Sequence, residues 1–320
     1  MNEKKTKIPQ WLATILKYLV MSFVGAILLV AIMCGVYYIA EYNSSDCLTY
    51  VVNSDQKTCT VTGTRDYANW ALNVPEEIDG YIVTGIADGA FKESDMRLVI
   101  LPDTIETIGE YAFYKCQSLS HMKLPQNVSV IGDYAFYGCT SWKNAIIPSS
   151  AHTIGVAAYA ACFAIEEINV PASLINIGDM AFSGCSRLVN IIVDEANPLW
   201  KSVDGVLYSK DMKTIYSYPL GRKNDVFTIP EGVENIHYKA FALNTKLTTI
   251  NLPSTIKTIG EEVFIAAPDL TMGIEILNYA GSVEKWKFIS KPQNWGGYSS
   301  DFIIVCTDGQ ISKDGTILYK

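Results

Sequence analysis

The chain has 320 residues, of which 49% are hydrophobic, and carries a net charge of −8 at neutral pH. Its length exceeds that of a typical single core, so it calls for several domains or for an architecture that grows linearly. The acidic balance argues against nucleic acid as a partner, because little would neutralise phosphates, and against docking on anionic lipid.

Residues 1–17 hold Lys4, Lys5, Lys7 and Lys17 against a single Glu3, and Tyr18 through Ala40 then runs without a charge. At 1.5 Å per residue that run spans about 34 Å, enough to cross a bilayer core. Trp11 lies on one side, with Tyr37, Tyr38 and Tyr42 near the other end, where amphipathic aromatics favour the interface. The reading is a cytoplasmic N-terminus over 1–17 and a transmembrane helix over 18–40. The positive-inside rule leaves everything beyond outside a plasma membrane crossed once. A cleaved signal peptide fits less well, since the apolar stretch is too long and no small-x-small site follows it. Ala31-Ile32-Met33-Cys34 resembles a lipoprotein signal only superficially, because Met33 is not small.

Residues 41–79 read as an N-terminal β-hairpin cap. Leu48–Val52 and Thr58–Thr62 alternate in polarity across Asn53-Ser54-Asp55-Gln56-Lys57, and such a hairpin would cover the open edge of whatever follows. A turn centred near Asp55 places Cys59 opposite Val51. A Cys47–Cys59 disulfide is therefore the less favoured arrangement, although an oxidising compartment would permit it.

From residue 80 a 23-residue period takes over. Pro102, Pro125, Pro148 and Pro171 are in step, as are Pro230 and Pro253. Ile-Gly pairs recur at Ile108-Gly109, Ile131-Gly132, Ile154-Gly155, Ile177-Gly178 and Ile259-Gly260, and a small-plus-aromatic pair follows each of them. The small-plus-aromatic series runs from Ala90-Phe91 to Val263-Phe264, which makes seven copies. One unit reads Leu119-x-x-Met122-x-Leu124-Pro125-x-x-Val128-x-x-Ile131-Gly132-x-x-Ala135-Phe136-x-x-Cys139. Alternation up to Leu124 suits a short strand with one buried face, and the Pro ends it. No single unit can close a core, so the units must stack into a mostly β solenoid, about 4.8 Å apart.

The pattern L-x-x-I-x-L-P…I-G-x-x-A-F-x-x-C over residues 80–265 resembles the BspA-like (Treponema-type) leucine-rich repeat family of cell-surface proteins. Ser202-Val203-Asp204-Gly205-Val206-Leu207-Tyr208 with Tyr216-Ser217-Tyr218-Pro219, and Tyr279-Ala280-Gly281 through Cys306-Thr307-Asp308-Gly309, are similar to that family's inserted and closing segments. The resemblance implies adhesion or ligand binding outside the cell, without naming a ligand. The expected layout is a solenoid over 80–194, a hairpin interruption over 195–225, two further repeats over 226–277 and a capping module over 278–320. Gly205–Ser209 and Thr214–Tyr218 would form a hairpin leaving one edge of the solenoid. Ser282–Ile289 reads as a helix and Phe302–Cys306 as a strand.

Cys116, Cys139, Cys162 and Cys185 share one slot, which Ser94, Asn244 and Ala267 fill elsewhere. A linear row cannot supply a zinc tetrahedron, so the slot reads as small and buried, and no metal or cofactor is expected. His121, His152 and His237 have no nucleophile or carboxylate at a catalytic spacing, and no phosphate loop or metalloprotease motif occurs. An enzyme is not expected. Function falls where the repeat does not repeat: on the 195–225 interruption, on the end caps, and on the outward strand positions, whose residues are the ligand-binding candidates. These form two stripes: Leu98, His121, Asn144, Glu167, Asn190 and Thr249, then Ile100, Lys123, Ile146, Asn169, Ile192 and Asn251 (with Thr228 in register). The partner expected there is an extracellular or envelope protein or a glycan. The alternative is a structural envelope protein that assembles with itself or with a membrane partner.

Overall fold

The structure, a computed structural model, describes residues 47–65, 70–265, 273–297 and 302–319. The transmembrane helix expected over 18–40 lies outside these residues, and among the described residues no helix is long and apolar enough to cross a membrane. What is described is a mostly β solenoid whose coils have three sides.

The first side carries the strands that precede each Pro. Leu98–Ile100 stacks in parallel on Ala71–Asn73, and His121–Met122 on Leu98–Ile100. Glu167–Val170 pairs with Asn190–Val193. Beyond the interruption, Val226–Thr228, Thr249–Leu252, Ile276–Tyr279 and Ile303–Cys306 follow one another in parallel. This stacking continues past residue 277, so the C-terminal segment extends the ladder before closing it with two antiparallel strands, Gly309–Ser312 and Ile317–Tyr319.

The second side is a ladder that starts on the six-residue strand Tyr81–Ile86 and continues in two-residue strands ending at the Ile of each Ile-Gly pair, Thr107–Ile108, Val130–Ile131, Thr153–Ile154 and Asn176–Ile177. Its Gly is required by close approach. A Cβ on Gly132 would lie 2.6 Å from the Glu110 nitrogen, and one on Gly178 2.4 Å from the Val156 nitrogen. Ala87 and His237 occupy this slot where the coil beneath is a strand of a hairpin, Thr58–Thr64 or Thr214–Ser217.

The third side is a turn with left-handed residues at fixed positions. Tyr111, Tyr134, Ala157, Met180, Lys239 and Glu262, each just before the small-plus-aromatic pair, have φ between 50° and 58°. The left-handed region disfavours a side chain by about 1–2 kcal/mol. Coil-to-coil hydrogen bonds hold it in place: Tyr134 N to Val156 O at 2.8 Å, Phe136 N to Ala158 O at 2.8 Å and Gly138 N to Ala160 O at 2.9 Å. Inside, Phe91, Phe113 and Phe136 stack with centroids 5.4 Å apart, and Tyr159 continues the column.

The four cysteine thiols are buried beside that column and unbridged. Each donates to the carbonyl of an aromatic residue in the preceding coil: Cys139 to Phe113 at 3.2 Å and Cys162 to Phe136 at 3.1 Å. Burial pushes these thiols up, Cys116 and Cys185 to about 12. In the same slot Asn244 accepts from the Leu247 N–H at 2.8 Å.

Two expectations need correction. In the N-terminal hairpin Cys59 pairs with Val52, one position from the expected Val51, and Cys47 sits at the far end beside Arg65; both are free thiols. The hairpin does cover the first coil, by pairing Thr58–Thr64 with Tyr81–Ile86. The interruption does not leave the solenoid. Trp200–Val203, Val206–Ser209 and Thr214–Ser217 form an antiparallel meander, and its last strand returns to stack on Asn235–Ile236. The meander separates two hydrophobic cores, one from Leu48 to Leu207 and the other from Val206 to Ile311. The expected helix is present as Val283–Phe288, with Ser282 as its N-cap.

Candidate functional site

All twelve outward positions are exposed or half-buried, but they do not form one unbroken face. Leu98 lies beside His121 in register. Beyond it the first-side ladder opens, and residues 144–147 form no strand. At this opening stands Trp142, which fills the slot held by Leu119, Ile165 and Leu188. Its indole N–H donates to the Met122 carbonyl at 3.1 Å, so that oxygen is engaged by a side chain at the point where the strand pairing stops.

The opening leaves a groove of about 460 Å³ bounded by Leu98, Ile100, His121, Lys123, Trp142 and Asn144. Five of these are among the residues expected to bind. Ser120 Oγ lies 2.9 Å from His121 Nδ1, which orients the ring at the rim. Ile146, 54% exposed, stands just past this groove.

Glu167, Asn169, Asn190 and Ile192 form a separate two-strand surface. Asn169 donates to Glu167 at 3.2 Å, and Asn190 is half-covered by Gly205 of the meander. Thr249 and Asn251 belong to a third surface. There Asn278 donates to Asn251 at 2.9 Å and Asn251 to Thr228 at 2.8 Å, a ladder of amides along the coils. It borders a second groove of about 470 Å³ that includes Val305. Asn278 and Val305 escape a search by period because Leu252 pairs with Tyr279, 27 positions on rather than 23. Their signal is the alternation of Glu275-Ile276-Leu277-Asn278-Tyr279.

A further cluster lies at the junction of the two cores. His237 stacks on Tyr216 with centroids 4.4 Å apart, and its Nε2 is 3.7 Å from Asp179 Oδ1. Burial holds the imidazole below its ordinary value, more than the nearby Asp179 carboxylate raises it. Among the described residues no group of three or more His, Cys, Asp or Glu is placed to hold a metal ion.

The BspA type leucine rich repeat model matches residues 84–199 and 209–289 in six copies, one fewer than the seven counted by slot. Solved structures share the fold. The pneumococcal vaccine antigen PcpA aligns with a TM-score of 0.59 at 19% identity, over 73% of this chain and 80% of that one. A leucine-rich repeat protein from Bacteroides ovatus aligns with a TM-score of 0.56 at 24% identity, over 76% of this chain and 65% of its own length. The T. pallidum leucine-rich repeat protein aligns at 0.50 and 22% identity, over 71% and 90%. No curated protein matches the sequence.

Proposed function

Since the chain belongs to the BspA-type leucine-rich repeat family, we propose that it is a surface binding protein, anchored by residues 18–40 and presenting its first-side grooves to a partner protein. The groove around Leu98, Ile100, His121, Lys123 and Asn144 carries the proposal. It is concave and mixes exposed aliphatic side chains with polar groups able to set register. Ile100 and Ile192, each 43% exposed, add apolar surface along the same side. A regular ladder would be flat here; the break at Trp142 provides the concavity.

Two experiments test this reading. Carbonate extraction and protease protection of the full chain in its native membrane check the anchor; release by carbonate, or digestion of residues 1–17 from outside, would sink it. For binding, the full chain in lipid nanodiscs is screened against matrix and envelope proteins and against a glycan array. The double variant Ile100→Ser, Lys123→Glu should lose the hits while retaining its circular dichroism. Hits that survive unchanged place binding elsewhere, and hits confined to glycans replace the protein partner with a carbohydrate. Self-association of the unmodified chain at micromolar concentration would favour the structural alternative.

A further inference from the structure

On the third side of the solenoid, two columns of tyrosine stack in register. Tyr111 and Tyr134 have centroids 5.0 Å apart with planes 4° apart, and Tyr114 and Tyr137 are 5.2 Å apart at 16°. In the next coil the same two positions are Ala157 and Ala160. The stack therefore stops with one face of Tyr134 and one face of Tyr137 uncovered by any ring among the described residues. A cavity of about 320 Å³ opens against those faces, with Ala157 and Ala160 as its floor and Leu243 and Ile265 on a further wall. Ala157 keeps the left-handed φ of 51° that Tyr134 has at 55°, so the turn geometry carries on unchanged while the rings stop.

We propose that this vacant rung is a ligand site for a flat aromatic ring, which would continue the stack on Tyr134 and Tyr137 over the floor of Ala157 and Ala160. Offset stacking at the spacing already present favours a ring over an aliphatic group of equal size. The lining decides against a sugar. Apart from the tyrosine hydroxyls, the polar side chains there are Ser183 and Lys239, and the Lys239 ammonium is engaged by Glu262 at 3.1 Å. A pyranose needs several polar partners for its hydroxyls, whereas an aromatic ring needs an apolar slot with few of them. The site lies on a different side of the coil from the first-side grooves and does not depend on them.

The test uses the full chain in nanodiscs, titrated with N-acetyltryptophanamide and read by saturation-transfer NMR. N-acetylleucinamide and methyl glucoside serve as aliphatic and sugar controls. The aromatic probe should bind with a Kd of order 0.1–1 mM, at least tenfold tighter than either control. Ala160→Tyr, which restores the residue type of the two preceding coils, should weaken it at least tenfold. Tyr137→Ala, which removes a stacking face without adding bulk, should do the same if the first variant misfolds. Equal binding of the leucine or sugar probe overturns the proposal. So does aromatic binding unaffected by a folded variant, or no saturation transfer at 10 mM probe, about ten times the weakest Kd expected.

Discussion

Trp142 donates its indole N–H to the carbonyl of Met122, a backbone group of the preceding coil, at 3.1 Å. A side chain thus takes the acceptor where strand pairing stops, and the groove proposed for binding opens beside it. Trp142→Phe keeps most of the ring but removes the donor, leaving a buried carbonyl unpaired at a cost of about 1–3 kcal/mol. Urea denaturation should show that loss, and amide exchange should quicken around residues 121–124. An unchanged midpoint would mean that water replaces the indole.

Gly132→Ala should be among the most damaging small substitutions in the chain. The added methyl would meet the Glu110 nitrogen at 2.6 Å and the Gly109 carbonyl carbon at 2.7 Å, both backbone atoms that cannot rotate away. Overpacking of this kind costs about 1–3 kcal/mol and occasionally more, and backbone contacts that cannot relax put this site at the upper end. Ala87→Gly, in the same slot above the N-terminal hairpin, should change the melting temperature by no more than a few degrees.

The cysteine column should resist alkylation. Burial raises all four thiols above their ordinary value, and each is engaged by a carbonyl, Cys185 by Tyr159 at 3.1 Å. Iodoacetamide at pH 8 should label the half-buried Cys47 in the native protein and reach Cys116, Cys139, Cys162 and Cys185 only after denaturation. Peptide mapping by mass spectrometry distinguishes the two outcomes.

His237 makes stability depend on pH in a defined window. Its folded value lies below the ordinary 6.5 because burial disfavours the charged ring more than Asp179 favours it. The unfolded state therefore takes up a proton first, and stability falls as pH drops through about 6.5. Carboxylates held low by hydrogen bonds, Asp55 and Asp211 among them, lose their contribution only at more acidic pH. His237→Asn should flatten the melting-temperature profile between pH 7.5 and 5.5 while leaving the acid limb in place. A profile identical to the parent's assigns that window to another group.

Much of the fold was legible because the same contacts recur. The Pro, Ile-Gly, Ala-Phe and Cys slots each mark a neighbour relation between identical positions of adjacent coils, so a period in sequence is a contact in space. The outward stripes followed from alternation alone. Their division into three surfaces did not, because Trp142 reads as one more large hydrophobe in the slot of Leu119 while its indole N–H takes a backbone acceptor, and because the meander interposes between the second surface and the third. The C-terminal rungs were hidden by a 27-residue spacing, and the meander's return to the ladder by its antiparallel path. The Asp179–His237 pair joins residues separated by the whole interruption, and no local pattern connects them. The tyrosine columns stand in the sequence at Tyr111, Tyr114, Tyr134 and Tyr137, but that their faces stack follows only from the turn geometry.

The glycine contact also bears on how such a chain can change length. Gly155 meets the backbone of Gly132 and Asp133, as Gly132 meets that of Gly109 and Glu110. Excising residues 132–154 would set Gly155 directly after Ile131 and return each slot to a neighbour of its own kind. Within the run from Gly109 to Gly178, a cut of another length would bring a residue with a side chain against the backbone that Gly155 now meets. Whole coils can therefore be gained or lost within this run, each moving the far end of the molecule by one rung, and departures such as the 27-residue step from Leu252 to Tyr279 lie outside it.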